Sequence, residues 1–215
     1  MTVYGIVAGG PKALLPCLTD QKVDCWIGCD RGCLYILEAG LTLYQAIGDF
    51  DSVSKEEHEF IEKEAKQMQV FSVDKDDSDL ELAIKMLQNQ PEDSLILYGI
   101  TGGRLDHTLV NIALLKRLTK QGVNAKMMDC YHTIDIYLPG VHQLYLDPTR
   151  YISILPATDQ VEGVTLAGFK YPLVEATLEE GSSLTLSNHL VSTTGSISFK
   201  AGILIVISAD EPPAF

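Results

Sequence analysis

What most constrains this chain is the alternation in its first 130 residues, where short apolar runs take turns with stretches of helical periodicity. The runs "TVYGIVAGG", "VDCWIGC", "YQAIG", "QVFSV", "SLILYGI" and "AKMMDC" read as six strands. Between them, Pro11 suits the first turn of a helix through "KALLPCL", which Pro16 would end or kink early. "DRGCLYILEAG" predicts a helix closed by Gly40. Ser54 and Glu57 have the spacing of a capping box ahead of a charged helix running to about Gln67, and Ser78 and Glu81 repeat it before "LELAIKML". "HTLVNIALLKRL" carries apolar residues at helical spacing. Strands joined through helices in this way are linked by right-handed crossovers into a mainly parallel sheet. Ligands bind beyond the carboxyl ends of such strands, which is where "GDFDS", "KDDSD" and "TGGRLD" fall.

After about residue 130 helical periodicity stops. "IDIYLPGVHQLYLD", "RYISILPA", "GVTLAGF", "SSLTLSNHLVS", "SISFKAG" and "ILIVISA" are short runs bounded by Gly, Pro, Asp and Asn. They predict an antiparallel β-sandwich or partial barrel. The fold expected is therefore an α/β domain over 1–130 followed by an all-β domain over 131–215. No repeat or low-complexity linker separates the two, and the tail "DEPPAF" is expected to fray.

Composition narrows the function. A chain of 215 residues holds one large domain or two small ones, and 46% hydrophobic residues suffice for a buried core. The net charge of −13 argues against a nucleic-acid partner and against anionic membranes, but not against a nucleotide carried with a divalent cation. No stretch approaches the roughly 18 consecutive apolar residues of a membrane span. The start "MTVYGIVAGG" lacks the basic and apolar regions of a signal peptide, so a cytoplasmic location is expected. The five cysteines are expected to be reduced thiols. Cys25, Cys29 and Cys33 are spaced by four, but the first two fall in a strand, and zinc sites show tighter pairs with histidines; small buried residues are the expectation.

The chemistry-bearing residues sit in the three strand-end loops. Asp49 and Asp51 would point the same way on an extended backbone and present two hard oxygens to Mg²⁺. Carboxylates a few Å apart repel by roughly 4 kcal/mol at an effective dielectric near 20, so water, a basic side chain or a cation must compensate. They can equally be turn and cap residues. Asp76, Asp77 and Asp79 crowd the start of a helix, whose dipole favours each by about 0.3 to 1 kcal/mol; three of them, with Lys75 alongside, exceed what capping needs. Gly102 and Gly103 form a strand-to-helix turn able to offer N–H groups to phosphate, with Arg104 as a bidentate donor. Asp106 is either an N-cap or a ligand to metal or substrate. The chain has neither G-x-x-x-x-G-K-[ST] nor G-x-G-x-x-G, which disfavours Walker-type phosphoryl transfer. Together the loops read as a Mg²⁺-nucleotide site.

These motifs carry a resemblance. "GCDRG", "GDFDS", "KDDSDLELA", "GGRLDH", "GVTLAGFKYPL" and "SNHL", in this order along both domains, resemble the bacterial thiamine pyrophosphokinase family. One departure is visible: the family usually has "ADGG" where this chain has "CDRG", so Arg31 replaces a glycine. The resemblance implies transfer of the terminal diphosphate of ATP to the hydroxyl of thiamine, with Mg²⁺ as cofactor and AMP as second product. It implies that Asp49, Asp51 and Asp79 hold the metal and act with Asp106 in catalysis. Asp76 would support metal or nucleotide, Gly103 and Arg104 the phosphates, and Asp30 would lie near the nucleotide or the reacting groups. The proton of the hydroxyl could pass to Asp106 or Asp79, or need no base. The β-domain would supply the thiamine face, with Tyr171, Ser187 and Asn188 as contacts, in a homodimer whose active site lies at the subunit interface. Competing readings are a pyrophosphokinase for another alcohol such as a hydroxymethylpterin, a non-catalytic nucleotide or thiamine diphosphate sensor, and a plain α/β phosphatase.

Overall fold

In the computed structural model, which describes residues 1–72, 77–87 and 93–210, six strands of the N-terminal part form a parallel sheet. They are β1 (Val3–Val7), β2 (Cys25–Cys29), β3 (Leu43–Gly48), β4 (Gln67–Val70), β5 (Ser94–Tyr98) and β6 (Asn124–Met128). Their spatial order is β4-β3-β2-β1-β5-β6. The helices are α1 (Gly32–Glu38), α2 (Lys55–Glu64), α3 (Asp79–Leu87) and α4 (Leu105–Lys120). Apolar residues of strands and helices, among them Val7, Ile36, Leu43, Ile61 and Tyr98, close over one another in a single cluster. Each such side chain contributes about 1.5–3 kcal/mol when fully buried. Trp26 belongs to this core, with its ring 5.6 Å from that of Tyr98.

Local signals explain the boundaries. α1 ends in a Schellman motif: Gly40 takes φ +71°, its N–H donates to the Leu37 carbonyl, and the Leu41 N–H donates to that of Ile36. Both faces of the Ser54–Glu57 capping box are formed at the start of α2. The helix expected through "KALLPCL" is instead two short 3₁₀ turns, Lys12–Leu14 and Leu18–Asp20. Leu15 precedes Pro16 and is extended, with ψ 137°, so the helix cannot propagate. α2 stops at Glu64, short of Gln67, because Lys66 donates to the Leu43 carbonyl and β4 then pairs along β3.

The chain divides into two units, Met1–Cys130 and Tyr131–Phe215. The second holds β7 (His132–Tyr137), β8 (Gly140–Tyr145), β9 (Tyr151–Pro156), β10 (Gln160–Ala167), β11 (Leu173–Glu179), β12 (Thr194–Phe199) and β13 (Leu204–Ala209). All of their pairings are antiparallel, β7-β13-β9 in one layer and β11-β10-β12-β8 in the other. Inward residues of both layers, such as Ile152, Ile154 and Val206 against Leu166, Ile197 and Phe199, share one core, so the unit is a sandwich. "SSLTLSNHLVS" differs from expectation: it runs as turns tied to the layers by isolated bridges, Ile152 to Asn188 and Phe169 to Leu190. Ser187 there takes φ +52°, which no regular strand allows. Among the described residues no helix is long and apolar enough to cross a membrane.

Candidate active site

The strand order reverses between β1 and β5, and a cleft of about 600 Å³ opens at the carboxyl ends of the strands there. Its walls are Gly9 to Pro11 after β1, Asp30 after β2, Ser52 after β3, Ser78 and Asp79 at the start of α3, and Gly99 to Arg104 after β5. His107 and Asn111 of α4 complete it. The volume lies within the range of sites for small ligands.

Asp30 is the structural hinge of the cleft. It adopts φ +47°, and its N–H donates to the Ile47 carbonyl at 3.0 Å. Its Oδ1 accepts the Phe50 N–H at 3.0 Å. Gly48 lies against the same oxygen: with φ +153°, a Cβ there would stand 2.0 Å from Asp30 Oδ1, so only glycine fits. Burial, then a hydrogen bond shared with Asp79, push the Asp30 carboxyl up to about 7, and the charges of Asp79 and Asp49 add to the rise. Both effects favour the protonated form of Asp30 relative to a lone carboxyl.

Asp49 and Asp51 are on the turn after β3. Asp49 Oδ1 accepts the Asp51 N–H at 3.1 Å, and Asp51 is exposed. The cleft wall reaches this turn at Ser52. Asp79 is the first residue of α3. Asp77 is tied to Lys85 at 2.6 Å, while Asp76 and Lys75 lie outside the described residues.

On the loop after β5, Gly103 and Arg104 line the cleft. Arg104, not Asp106, is the N-cap of α4; Asp106 stands inside the first turn. The Arg104 guanidinium donates to both Asp106 oxygens, at 2.5 and 3.2 Å, and holds that carboxyl below the usual carboxylate range. Two buttresses hold the loop from behind. Thr101 Oγ1 donates to buried Asp129 at 2.7 Å, and Asn111 Nδ2 donates to the Ile100 carbonyl at 3.1 Å. Sequence reasoning missed Gly9, Gly10, Asn111 and Asp129. The glycine pair ending the first strand was the one available signal, since Asn111 and Asp129 act through partners distant in sequence.

The second unit carries the remaining candidates. The Tyr171 ring is exposed, with the Lys170 ammonium 5.5 Å from its centroid. Asn188 is buried and its amide is spent on backbone: Oδ1 accepts from the Tyr171 and His189 N–H groups, and Nδ2 donates to the Tyr171 carbonyl at 2.8 Å. Asn188 thus fixes how Tyr171 is presented. Ser187 is exposed and its N–H donates to Ser153 Oγ.

Among the described residues, no three His, Cys, Asp or Glu side chains are gathered tightly enough to hold a metal by themselves. Mg²⁺ does not require that, since one or two carboxylates with phosphate oxygens and waters suffice. The donor set fits such a cation: hard oxygens only, with the charges of Asp79 and Asp49 acting against ionised Asp30.

A switch-point cleft walled by carboxylates and a glycine–arginine loop, on a parallel α/β sheet, is suited to a phosphate-bearing ligand of the nucleotide class. Residues 18–127 match the model of the thiamin pyrophosphokinase catalytic domain, and residues 132–204 that of the thiamin pyrophosphokinase vitamin B1 binding domain. The thiamine pyrophosphokinase of Bacillus subtilis (strain 168) is 40% identical over 214 residues, 98% of this chain and 100% of that protein. The crystal structure of the Bacillus subtilis thiamine pyrophosphokinase superposes with a TM-score of 0.91 at 39% identity, covering 98% of this chain and 100% of that one. That of the thiamin pyrophosphokinase from Geobacillus thermodenitrificans gives 0.88 at 35% identity, covering 99% and 100%. The chain belongs to the thiamine pyrophosphokinase family.

Proposed function

We propose that the cleft of residues 1–130 takes MgATP and that the enzyme transfers its terminal diphosphate to the hydroxyl of thiamine, releasing AMP. Thiamine pyrophosphokinase activity follows from family membership along the whole chain. The observation that carries the donor site is the grouping of Asp30, Asp79, Gly103 and Arg104 around one cleft at the sheet's switch point.

In this reading Asp49, Asp51 and Asp79 hold the cation, and Asp76 supports metal or nucleotide. Bound there, Mg²⁺ would neutralise charge along the triphosphate as the α–β bridging oxygen leaves. Gly103 offers backbone N–H to phosphate and Arg104 its guanidinium, which exchanges Asp106 for phosphate oxygens of the same bidentate geometry. Asp106 keeps that guanidinium aimed while the site is empty of nucleotide. The hydroxyl proton passes to Asp106 or Asp79, or needs no base if the transition state is loose. Tyr171 and Ser187 contact thiamine, whose cationic thiazolium suits an acidic site and whose pyrimidine suits an aromatic face. Asn188 positions Tyr171. We take the enzyme to be a cytoplasmic homodimer with the active site at the subunit interface. Exposed large apolar residues, among them Leu105, Leu109 and Val110 on α4, support a partner surface.

Asp51→Asn tests the cation assignment. The exposed side chain carries no packing, so the variant folds, and turnover falls 10²- to 10³-fold, the size of one lost electrostatic stabiliser. Near-normal turnover of the folded variant refutes it.

A further inference from the structure

Arg31 follows Asp30, whose backbone is left-handed, and the structure shows what its side chain does. Its backbone is ordinary right-handed helix, φ −58° and ψ −23°, so nothing there demands glycine. The demand falls on the next residue: a Cβ on Gly32 would lie 1.9 Å from the Val7 carbonyl oxygen. The Asp30–Gly32 turn is therefore pressed onto the end of β1, and Asp30 is bonded to the end of β3. From this fixed base the Arg31 side chain reaches across to the next loop. Its Nη2 donates to the Ser52 carbonyl at 2.5 Å and stands 3.6 Å from Glu57 Oε2. The same Glu57 oxygen accepts the Ser54 N–H at 2.7 Å, closing the capping box of α2.

The loop so gripped is the one that carries Asp49 and Asp51. At its start Phe50 is buried and takes φ +58°, and at its end Ser54 caps α2. Between them Asp51 and Ser52 are exposed. The Arg31 guanidinium bonded at Ser52 ties this exposed stretch to the Asp30–Gly32 turn.

We propose that Arg31 is a positioning residue that holds the 49–53 turn in its cation-binding arrangement before the cation arrives. Pre-organisation of this kind lowers the cost of binding without adding a ligand. The inference rests on the reading of Asp49 and Asp51 as cation ligands.

Arg31→Ala and Arg31→Lys, compared with the parent protein, test it by two readouts. The first is hydrogen exchange of the amides of residues 49–53 in metal-free protein. The second is direct binding of Mn²⁺, followed by electron paramagnetic resonance without nucleotide. The expected result for Arg31→Ala is exchange about tenfold faster in that segment alone and Mn²⁺ affinity about tenfold weaker, the scale of one charge-assisted hydrogen bond. Arg31→Lys retains the charge but not the fork and falls between. Unchanged exchange in Arg31→Ala overturns the positioning role and leaves the ligand assignment to the Asp51→Asn test. Faster exchange with unchanged Mn²⁺ binding overturns the inference through its premise, because the turn then does not carry the ligands.

Discussion

Asp30 is the residue on which most of the site's electrostatics converge. Its carboxyl, pushed up to about 7 chiefly by burial and then by Asp79, makes a signed prediction for the metal-free protein. A carboxyl whose folded pKa exceeds its unfolded value of about 3.9 favours folding while it stays protonated. That contribution is complete below the unfolded value and is lost as pH rises through 7. Thermal melts from pH 4 to 8 in the presence of chelator should therefore show a decline that Asp30→Asn flattens, with the variant gaining relative stability at pH 8. Parallel curves for the two proteins would contradict it. The glycine of "GDFDS" and the acidic residues were visible in sequence as candidates for chemistry, because three loops at the ligand-binding ends of one sheet carry them together. Their division of labour was not. That Asp106 is taken by Arg104, that Asn188 is buried against the Tyr171 backbone, and that Asp129 stands behind Thr101 all depend on contacts that no local pattern encodes.

Among the elements, legibility followed the strength of the local signal. α1, α2 and α4 announce themselves by apolar spacing, the Ser54 box and Gly40, and six strands form, the fourth at Gln67–Val70, earlier than "QVFSV" suggested. The failures fall where two local rules compete. At residues 11–18 apolar spacing asked for a helix and Pro16 forbade it, and the chain settled into two 3₁₀ turns. At 182–192 alternating residues asked for a strand, but Asn188 takes up the local backbone partners and Ser187 turns left-handed. That departure is where a candidate contact residue sits, as expected when a site strains its own element. The ends of β2 and β3 show the opposite case. There "CDRG" and "GDFDS" lock together through Asp30, Gly48 and Arg31, so two motifs far apart in sequence act as one unit.

For the whole molecule, the sequence divided the chain by texture alone: helical periodicity stops and short bounded runs begin. The identity of the sandwich as a vitamin B1 binding domain needed its motifs, since many functions share that architecture. The proposed homodimer is checked by light scattering at assay concentration; a mass of about twice the 23.6 kDa chain is expected, and a monomer removes the shared active site. The central claim is diphosphate transfer from ATP to thiamine, and its most direct test is a product analysis with MgATP and thiamine that resolves AMP from ADP. The account predicts AMP and thiamine diphosphate appearing in equal amounts, with neither formed when thiamine is omitted. ADP formed together with thiamine monophosphate would contradict it.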